Sequence, residues 1–254
     1  MVRMTVIETL KTMGESAKEC FPLIATLLKD MDNNVRGVAV QALGTMGESA
    51  EEYLPQIVTL LEDTDNNLQV AAVQALGAMG EPAKGYAPQI AALLKDKDHN
   101  VRKAAVETLK AMGASAKEYL PQIVALLKDD VGVRWAAVET LKAMGESAKE
   151  CLPQIVALLK RSDPNVREAA VAVLKAMGES AKECLPQIVA LIQGEPDSQF
   201  PINRVLEAAL QLLGEMGESA KGYGPQIAAL VKNTGSFAQT AEINVLHKIS
   251  PVGI

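Results

Sequence analysis

Apolar residues along the chain follow two alternating helical patterns. The first places them at positions i, i+3, i+4 and i+7, which is the spacing of one face of an α-helix, as at Leu54, Ile57, Val58 and Leu61. The second continues the same spacing over about three to four turns, from Val35 to Met46. The chain is therefore predicted to consist of two kinds of amphipathic helix that alternate.

Residues with strong positional preferences mark the ends of these helices. Asp163 is predicted to accept hydrogen bonds from free amides as an N-cap, with Pro164 at the first helical position, where no amide is needed. The same kind of helix is predicted to close in a left-handed turn at a recurring glycine: Gly47, Gly80, Gly113, Gly145, Gly178 and Gly217. A recurring proline would break the other kind of helix if it lay deep inside it. We therefore expect the ESAKEC-like segments to form an offset first turn, with the main helix starting near the proline.

The pair of helices recurs with a fixed period. A Met-Gly dipeptide returns at spacings of 33, 33, 33, 32, 33 and 39 residues, so the units begin near Met13, Met46, Met79, Met112, Met144, Met177 and Met216. The segments 144–158 and 177–191 are identical over 15 positions. The longest spacing contains an insertion at 193–203. These features predict a single repeat domain spanning residues 1–254.

One hairpin cannot bury two apolar stripes by itself, so neighbouring hairpins must stack in a row. An opening helix at about residues 2–13, followed by seven pairs, makes fifteen predicted helices. We predict an all-α fold: a right-handed α-solenoid (an αα superhelix) of about seven hairpins plus a terminal helix.

Composition and charge narrow the functional classes. Hydrophobic residues make up 48% of the chain but only eight are aromatic, which favours closely packed helices over a sheet. The net charge of -6 is the wrong sign for neutralising phosphates, so nucleic acid is disfavoured as a partner. No apolar run is long enough for a membrane span, and Arg3, Glu8 and Lys11 interrupt the place of a signal sequence. We expect a cytoplasmic protein without a membrane partner.

A second recurring motif points to a family. Asp-x-Asn-Val-Arg, followed by an Ala-rich helix ending in Leu-x-x-Met-Gly, occurs at 32–36, 98–102 and 163–167, with a close variant at 130–134. The motif resembles the HEAT repeat, in particular the short bacterial form named after phycobilisome lyases. The resemblance implies a ladder of ion pairs between successive units, formed by Arg3, Arg36, Arg102, Arg134 and Arg167 with Asp32, Asp98, Asp130 and Asp163. It also implies interruptions at Gln69, at Leu206 and near Gln239.

All cysteines and tyrosines occupy one repeat position: Cys20, Tyr53, Tyr86, Tyr119, Cys151, Cys184 and Tyr223. Residues one repeat apart are separated by about 8–10 Å, the packing distance of helices, whereas a disulfide needs α-carbons about 5.5 Å apart. We expect partly buried fillers between helices and no bond between Cys151 and Cys184. The alternative is a reactive thiol that attaches a bilin, which would need a nearby base or cation.

Several residues are candidates for binding a partner. Trp135 has varied counterparts in the other repeats, so it is expected to be at least partly exposed, either as an interface anchor or as a local packing element. Phe200 lies in the insertion and either contacts a partner or folds back over the next helices. A row of glutamines either binds a peptide backbone or solvates the helix face; it includes Gln89, Gln122, Gln154 and Gln187.

The leading functional hypothesis is a non-catalytic scaffold or adaptor that binds another protein or peptide through its concave face and irregular edge loops. It predicts no catalytic residues, cofactor or metal, and weak end-to-end self-association. One alternative is a bilin lyase or isomerase, by family resemblance. A glycosylase-like DNA-binding protein is a further reading, disfavoured by the charge and the single tryptophan. The near-identical units also suit a designed consensus array without a native partner.

Overall fold

The computed structural model describes residues 2–193, 210, 212–214 and 216–225. All regular secondary structure in this part of the chain is helical. The insertion from residue 194 onward, including Phe200, lies outside the described residues, as do Leu206 and the region near Gln239, so the expectations for these positions remain predictions. Among the described helices, none is long and apolar enough to cross a bilayer.

Within residues 2–193, six α-helices, called the long helices, alternate with six other α-helices. They are α1 (Val2–Met13), α3 (Asn33–Thr45), α5 (Asn66–Met79), α7 (His99–Met112), α9 (Val131–Met144) and α11 (Pro164–Met177). The opening helix was predicted at about 2–13, and α1 confirms it. Asp163 caps α11 by accepting from the amide of Asn165, with Pro164 at the first position, as predicted.

The other six, called the short helices, each begin one residue before the recurring proline. They are α2 (Phe21–Thr26), α4 (Leu54–Thr59), α6 (Ala87–Ala92), α8 (Leu120–Ala125), α10 (Leu152–Ala157) and α12 (Leu185–Gln193). The segments before them form 3-10 helices: Gly14–Cys20, Gly47–Tyr53, Glu81–Tyr86, Gly113–Tyr119, Gly145–Cys151 and Gly178–Cys184. This confirms the offset first turn, because a proline in the second position interrupts no hydrogen bond of the main helix.

All six of the predicted turn glycines have a positive φ: Gly47, Gly80, Gly113, Gly145, Gly178 and Gly217. Gly113, for example, has φ 59° and ψ -125°. This ψ differs from that of the left-handed helix and mirrors the extended region, which only glycine adopts without strain. The sharp turn therefore depends on the absence of a β-carbon.

The core lies between the two kinds of helix. Each repeat contributes a fully buried leucine from a long helix: Leu43, Leu76, Leu109, Leu141 and Leu174. Each also contributes a fully buried isoleucine from a short helix: Ile24, Ile57, Ile90, Ile123, Ile155 and Ile188. Within the first part of the chain, α1 packs on α3, α3 on α5, and α5 on α7. The apolar pattern thus buries equivalent leucines in α3, α5, α7, α9 and α11 and equivalent isoleucines in all six short helices.

Two of these helix contacts are unusually close. A β-carbon added at Gly44 would lie 2.7 Å from the α-carbon of Ala75, so α3 and α5 meet backbone to backbone. A β-carbon at Gly77 would lie 3.2 Å from Thr108, whose hydroxyl donates to the carbonyl of Val73 at 3.1 Å. The helical pattern alone did not indicate these contacts, because glycine and threonine are neither strongly apolar nor strongly polar and so do not mark either face of an amphipathic helix.

The chain divides into two compact units, Met1–Thr140 and Leu141–Ile254. The boundary falls within α9 rather than in a linker. The expectation of one repeat domain over residues 1–254 stays a prediction.

Candidate interaction surfaces

One edge of the first unit carries a row of aspartates at the ends of the short-helix segments: Asp30, Asp63, Asp96 and Asp129. One carboxylate oxygen of each accepts from a backbone amide in the turn that follows, at 2.8–3.0 Å. In three of them the other oxygen faces an arginine 27 residues earlier in the chain. A single side chain thus holds its own turn and joins it to the preceding repeat.

The pair between Arg102 and Asp129 is the most complete of these contacts. The Nε and Nη2 atoms of Arg102 donate to the two carboxylate oxygens at 2.8 and 2.6 Å, while Nη1 donates to the carbonyl of Asp96 at 2.8 Å. The hydrogen bond to Asp129 raises the pKa of Arg102. Burial is the largest single influence and would raise the pKa of Asp129, but the hydrogen bonds from Arg102 and Asp130 and the charge of Arg102 together outweigh it, so the pKa is lowered. Such a bidentate pair fixes orientation as well as distance.

The pair between Arg36 and Asp63 is looser. Arg36 Nη2 lies 3.3 Å from Asp63 Oδ2, and its Nη1 donates to the carbonyl of Asp30 at 3.2 Å. The Nε atom of Arg36 is buried without a hydrogen-bond partner. Arg3 pairs with Asp30 in the same way at an exposed position. The ladder is therefore uneven in strength along the first unit.

The predicted ladder aspartates cap helices, and the assignment made from the resemblance is wrong for Asp32, because its expected partner Arg3 pairs with Asp30 instead. Asp32, Asp98, Asp130 and Asp163 lie at the N-termini of long helices, where each accepts from backbone amides of the first turn. Of these four, Asp130 also contacts an arginine, Arg102, at 3.4 Å. The pairing carboxylates stand one or two residues earlier.

These capping aspartates form a second, amide-based ladder. Asn33 donates to Asp65 at 2.5 Å, and Asn66 donates to Asp98 at 2.9 Å. The hydrogen bond from Asn33 lowers the pKa of Asp65. Burial raises the pKa of Asp98, but the bonds from Asn100, Val101 and Asn66 outweigh it, so this pKa is also lowered. The recurrence of Asn after the capping aspartate was the signal that could have indicated this ladder.

Gln69 interrupts the row of arginines. Its amide donates to the carbonyl of Leu61 at 2.9 Å, so it binds within its own repeat. Arg134 makes the equivalent contact to Leu127 at 3.2 Å and donates to the carbonyl of Asp129 at 2.6 Å.

Arg167, in the second unit, is 5% exposed and donates to the carbonyls of Arg161 and Ser162. The residues 27 positions after Arg134 and Arg167 are Arg161 and Gly194, neither of which has a carboxylate.

An apolar pair opens α9, in the repeat with the 32-residue spacing. Val131 and Trp135 are 76% and 61% exposed and lie four residues apart, on one face of the helix. The position of Val131 holds Asn33, Asn66 and His99 in the earlier repeats, and the two asparagines donate to the next capping aspartate. The predicted exposure of Trp135 is confirmed. We call Val131 and Trp135 the α9 apolar pair.

The predicted glutamine row lies on the outer side of the short helices. Gln89, Gln154 and Gln187 are exposed, and Gln122 is half-buried. Each precedes by one position the fully buried isoleucine of its helix. The row therefore lies on the surface opposite the core. Both hypotheses for it, binding of a peptide backbone and solvation of the helix face, predict this position.

The cysteines of the second unit are buried. Cys151 and Cys184 are free thiols, each 3% exposed, and Cys20 is half-buried. Burial raises the pKa of Cys151 and Cys184, and the neighbouring carboxylates Glu150 and Glu183 raise it further. These surroundings disfavour the thiolate that a nucleophile or bilin attachment site needs.

Charged side chains elsewhere on the surface largely pair locally. Lys84 lies 2.5 Å from Glu81, and Lys149 lies 2.5 Å from Glu183 and 3.8 Å from Glu146. Within the described part of the chain, no group of three or more His, Cys, Asp or Glu side chains is arranged to hold a metal ion.

Solved structures with a similar fold are repeat proteins. A chain of the complex of CpcE and CpcF of phycocyanin lyase from Nostoc sp. PCC7120 is 20% identical, with a TM-score of 0.50, covering 92% of this chain and 94% of that one. A chain of the Kap95:Nup1 complex is 15% identical, with a TM-score of 0.58 and coverages of 93% and 36%. Yeast importin-beta (Kap95p) is 13% identical, with a TM-score of 0.56 and the same coverages.

This chain spans about a third of the length of the two importin-type chains that it resembles. Identities this low show a common α-solenoid fold and nothing more. No curated protein sequence matches the chain. The sequence profile described as HEAT repeats matches residues 21–87, 84–142 and 120–200. Because these segments cover more than half of the chain, it belongs to the HEAT repeat family.

Proposed function

We propose that the protein is a non-catalytic scaffold that binds another protein, with the α9 apolar pair as an anchor. The observation that carries this is the exposure of Trp135 and Val131 on one face of a helix whose other side is packed in the core. A tryptophan held on a rigid helix loses little side-chain entropy on binding and buries a large apolar area, as interface anchors do.

Two further observations support binding rather than catalysis. The buried cysteines have raised pKa values, which disfavours a thiol-dependent lyase reaction. Two of the proteins of similar fold were solved in complexes with other proteins, CpcE with CpcF and Kap95 with Nup1. That is a property of those proteins, and it is consistent with an interaction role here.

The scaffold proposal is tested by quantitative pull-down from the source cells with three baits: the wild type, Trp135→Ala and Met31→Ser. Met31 is an exposed hydrophobic residue in another loop, so its substitution is a matched control. A specific partner should be recovered at least about tenfold less with Trp135→Ala, as expected for an interface anchor, and equally with Met31→Ser. Equal recovery by all three baits would remove Trp135 from the interface.

The lyase alternative is tested by absorbance. Mixing the purified protein with a free bilin should leave the bilin spectrum unchanged. A shifted spectrum that persists in Cys151→Ser and Cys184→Ser variants would indicate a chromophore pocket and would contradict the purely structural role proposed here.

Weak self-association through α1 is part of the same proposal. Val2, Val6 and Met13 are 78%, 46% and 49% exposed, whereas their counterparts in α3, Val35, Ala39 and Met46, are buried. Exposed apolar faces of this kind favour association. Sedimentation velocity should show a concentration-dependent increase in mass, reduced in a Val2→Ser/Val6→Ser variant. A monomer at all concentrations would contradict it.

A further inference from the structure

The short helices of the first unit present a regular polar face to solvent. Pro88, Gln89, Ala92 and Lys95 lie at i, i+1, i+4 and i+7 along α6 and the 3-10 turn Leu93–Lys95 that follows it, on the side opposite the buried Ile90. The same types of residue recur one repeat later, at Pro121, Gln122, Ala125 and Lys128. We call these two sets together the amide–lysine stripe.

In the part of the chain that the structure describes, Lys95 and Lys128 have no carboxylate nearby, unlike several other lysines of the molecule. Lys84 and Lys103 each pair with a glutamate of their own helical segment, at 2.5 and 3.8 Å. Lys95 and Lys128 are exposed, and among the described residues no carboxylate oxygen lies within 4.0 Å of either ammonium group. In a protein with a net charge of -6, two successive repeats thus carry free positive charge at one position of one face.

The small residues and amides of the stripe suit an extended chain. Ala92 and Ala125 are exposed and leave room for a peptide backbone to approach the helices. Gln89 and Gln122 can donate to and accept from peptide groups, since a side-chain amide has both functions. A polyproline II segment has no internal hydrogen bonds, so its backbone groups are available to such amides.

The distance between neighbouring repeats determines which side chains of a bound peptide can reach equivalent positions of the stripe. Neighbouring helices pack about 8–10 Å apart. A polyproline II helix rises about 3.1 Å per residue with three residues per turn, so every third side chain points the same way at intervals of about 9 Å. A β-strand, in which side chains alternate, cannot present every third residue to one face.

We propose that the amide–lysine stripe binds an acidic segment of a partner protein in the polyproline II conformation, with a carboxylate at every third residue. The carboxylates pair with Lys95 and Lys128, and the glutamines bind the peptide groups between them. This rests on the proposed scaffold function and names the chemistry of the partner. In the preceding repeat the lysine position holds Glu62. Its negative charge would repel an acidic ligand, so the stripe ends there.

The test uses a fluorescent peptide of Glu-Pro-Pro repeats and fluorescence anisotropy at low salt with the intact protein. A peptide of the same composition with its glutamates in one block controls for charge. The wild type should bind the repeating peptide at least about threefold more tightly than the block peptide, because only the former matches the helix spacing. Binding should weaken as salt is added.

The protein variants test the stripe itself. Lys95→Gln/Lys128→Gln should weaken binding about three- to tenfold, and Glu62→Lys should strengthen it about threefold, in line with the modest strength of exposed ion pairs. The matched control is Lys97→Gln/Lys110→Gln, which changes the same net charge at exposed positions outside the stripe and should change affinity less than twofold. Circular dichroism checks that each variant is folded.

Three results would overturn the proposal: no binding by the wild type, equal binding of the two peptides, or equal weakening by the stripe and control variants. Trp135→Ala should leave the peptide affinity unchanged. Failure of the peptide test with Trp135-dependent partner capture would therefore reject only the stripe, whereas peptide binding without Trp135-dependent capture would reject only the anchor.

Discussion

The junction of repeats around Arg36 and the junction around Arg102 are held together differently. At the first, Gly44 brings α3 against the backbone of α5, and the ion pair of Arg36 with Asp63 is loose, with a buried Nε left unpaired. At the second, the position of Gly44 is occupied by Lys110, and Arg102 forms a complete bidentate pair with Asp129. Between them, Gly77 and Thr108 combine close packing with a hydroxyl hydrogen bond.

The difference teaches that one repeat architecture accommodates two kinds of junction. Close backbone approach gains dispersion contacts and needs a glycine. Where a larger residue replaces the glycine, a directional polar pair supplies the specificity instead. The core leucines are the same at both junctions, so the distinction lies at the helix surfaces and edges.

The largest expected effect tests this common core. Leu43→Ala and Leu109→Ala should each lower the free energy of unfolding by about 2–5 kcal/mol, because both side chains are fully buried and leave a cavity. Urea denaturation of both variants measures this. If the two losses differed by more than about 3 kcal/mol, the full spread of such substitutions, the cores of the two junctions could not be called equivalent.

The next largest effect is expected at the two close helix contacts, where alanine should be tolerated differently at Gly44 and at Gly77. Gly44→Ala should destabilise by about 1–3 kcal/mol, because its β-carbon would meet the backbone of Ala75 at 2.7 Å. Gly77→Ala should be within about 0.5 kcal/mol of the wild type, since Thr108 can yield slightly and alanine favours the helix. Thermal unfolding of both variants gives the comparison. A harmless Gly44→Ala would show that α3 and α5 can separate without cost.

A smaller effect is expected from the two ion pairs, which should differ in how much they contribute to stability. Asp129→Asn should cost about 1–2 kcal/mol, because it removes a charged, bidentate partner while keeping an acceptor for the turn amide. Asp63→Asn should cost less than about 0.5 kcal/mol, as a single long contact contributes little. Chemical denaturation at low salt measures both. Equal costs would mean that the geometry of the two pairs does not determine their strength.

The smallest effect appears in the acid dependence of stability. The pKa of Asp129 is lowered in the folded protein, so its contribution is complete above the unfolded value of about 3.9 and is lost as the pH falls towards the folded value. Between about pH 5 and pH 3, the wild type should therefore lose its advantage over Asp129→Asn. Melting temperatures across this range test the sign. A difference that stays constant down to pH 3 would show that Asp129 is not the group that titrates.

Several features of the fold could be predicted because they depend on neighbours in sequence. The start of α1, the N-cap at Asp163, the helix start beside each proline and the positive φ of the closing glycines all follow from local backbone chemistry. The exposure of Trp135 followed from its varied counterparts. All of these except the exposure of Trp135, which needed the comparison between repeats, depend on residues within about one or two turns of one another.

The pairing of charges could not be predicted in the same way. Asp30 and Asp32 are both acidic and recur with the period, yet only the first reaches an arginine of the preceding repeat, while the second is turned towards its own helix. Choosing between them requires the direction of each side chain at the end of a turn. The free lysines of the stripe likewise became apparent only when every carboxylate in reach was known.

The amino-acid sequence alone determined the helices, their ends, the repeating core and the family, because apolar periodicity and capping act over short distances and recur in every unit. The tertiary structure decided which carboxylate meets which guanidinium, where two backbones touch, and which side chains remain open to a partner. These depend on differences of a few ångströms between neighbouring repeats, to which the free energies of hydrogen bonds and van der Waals contacts are steeply sensitive.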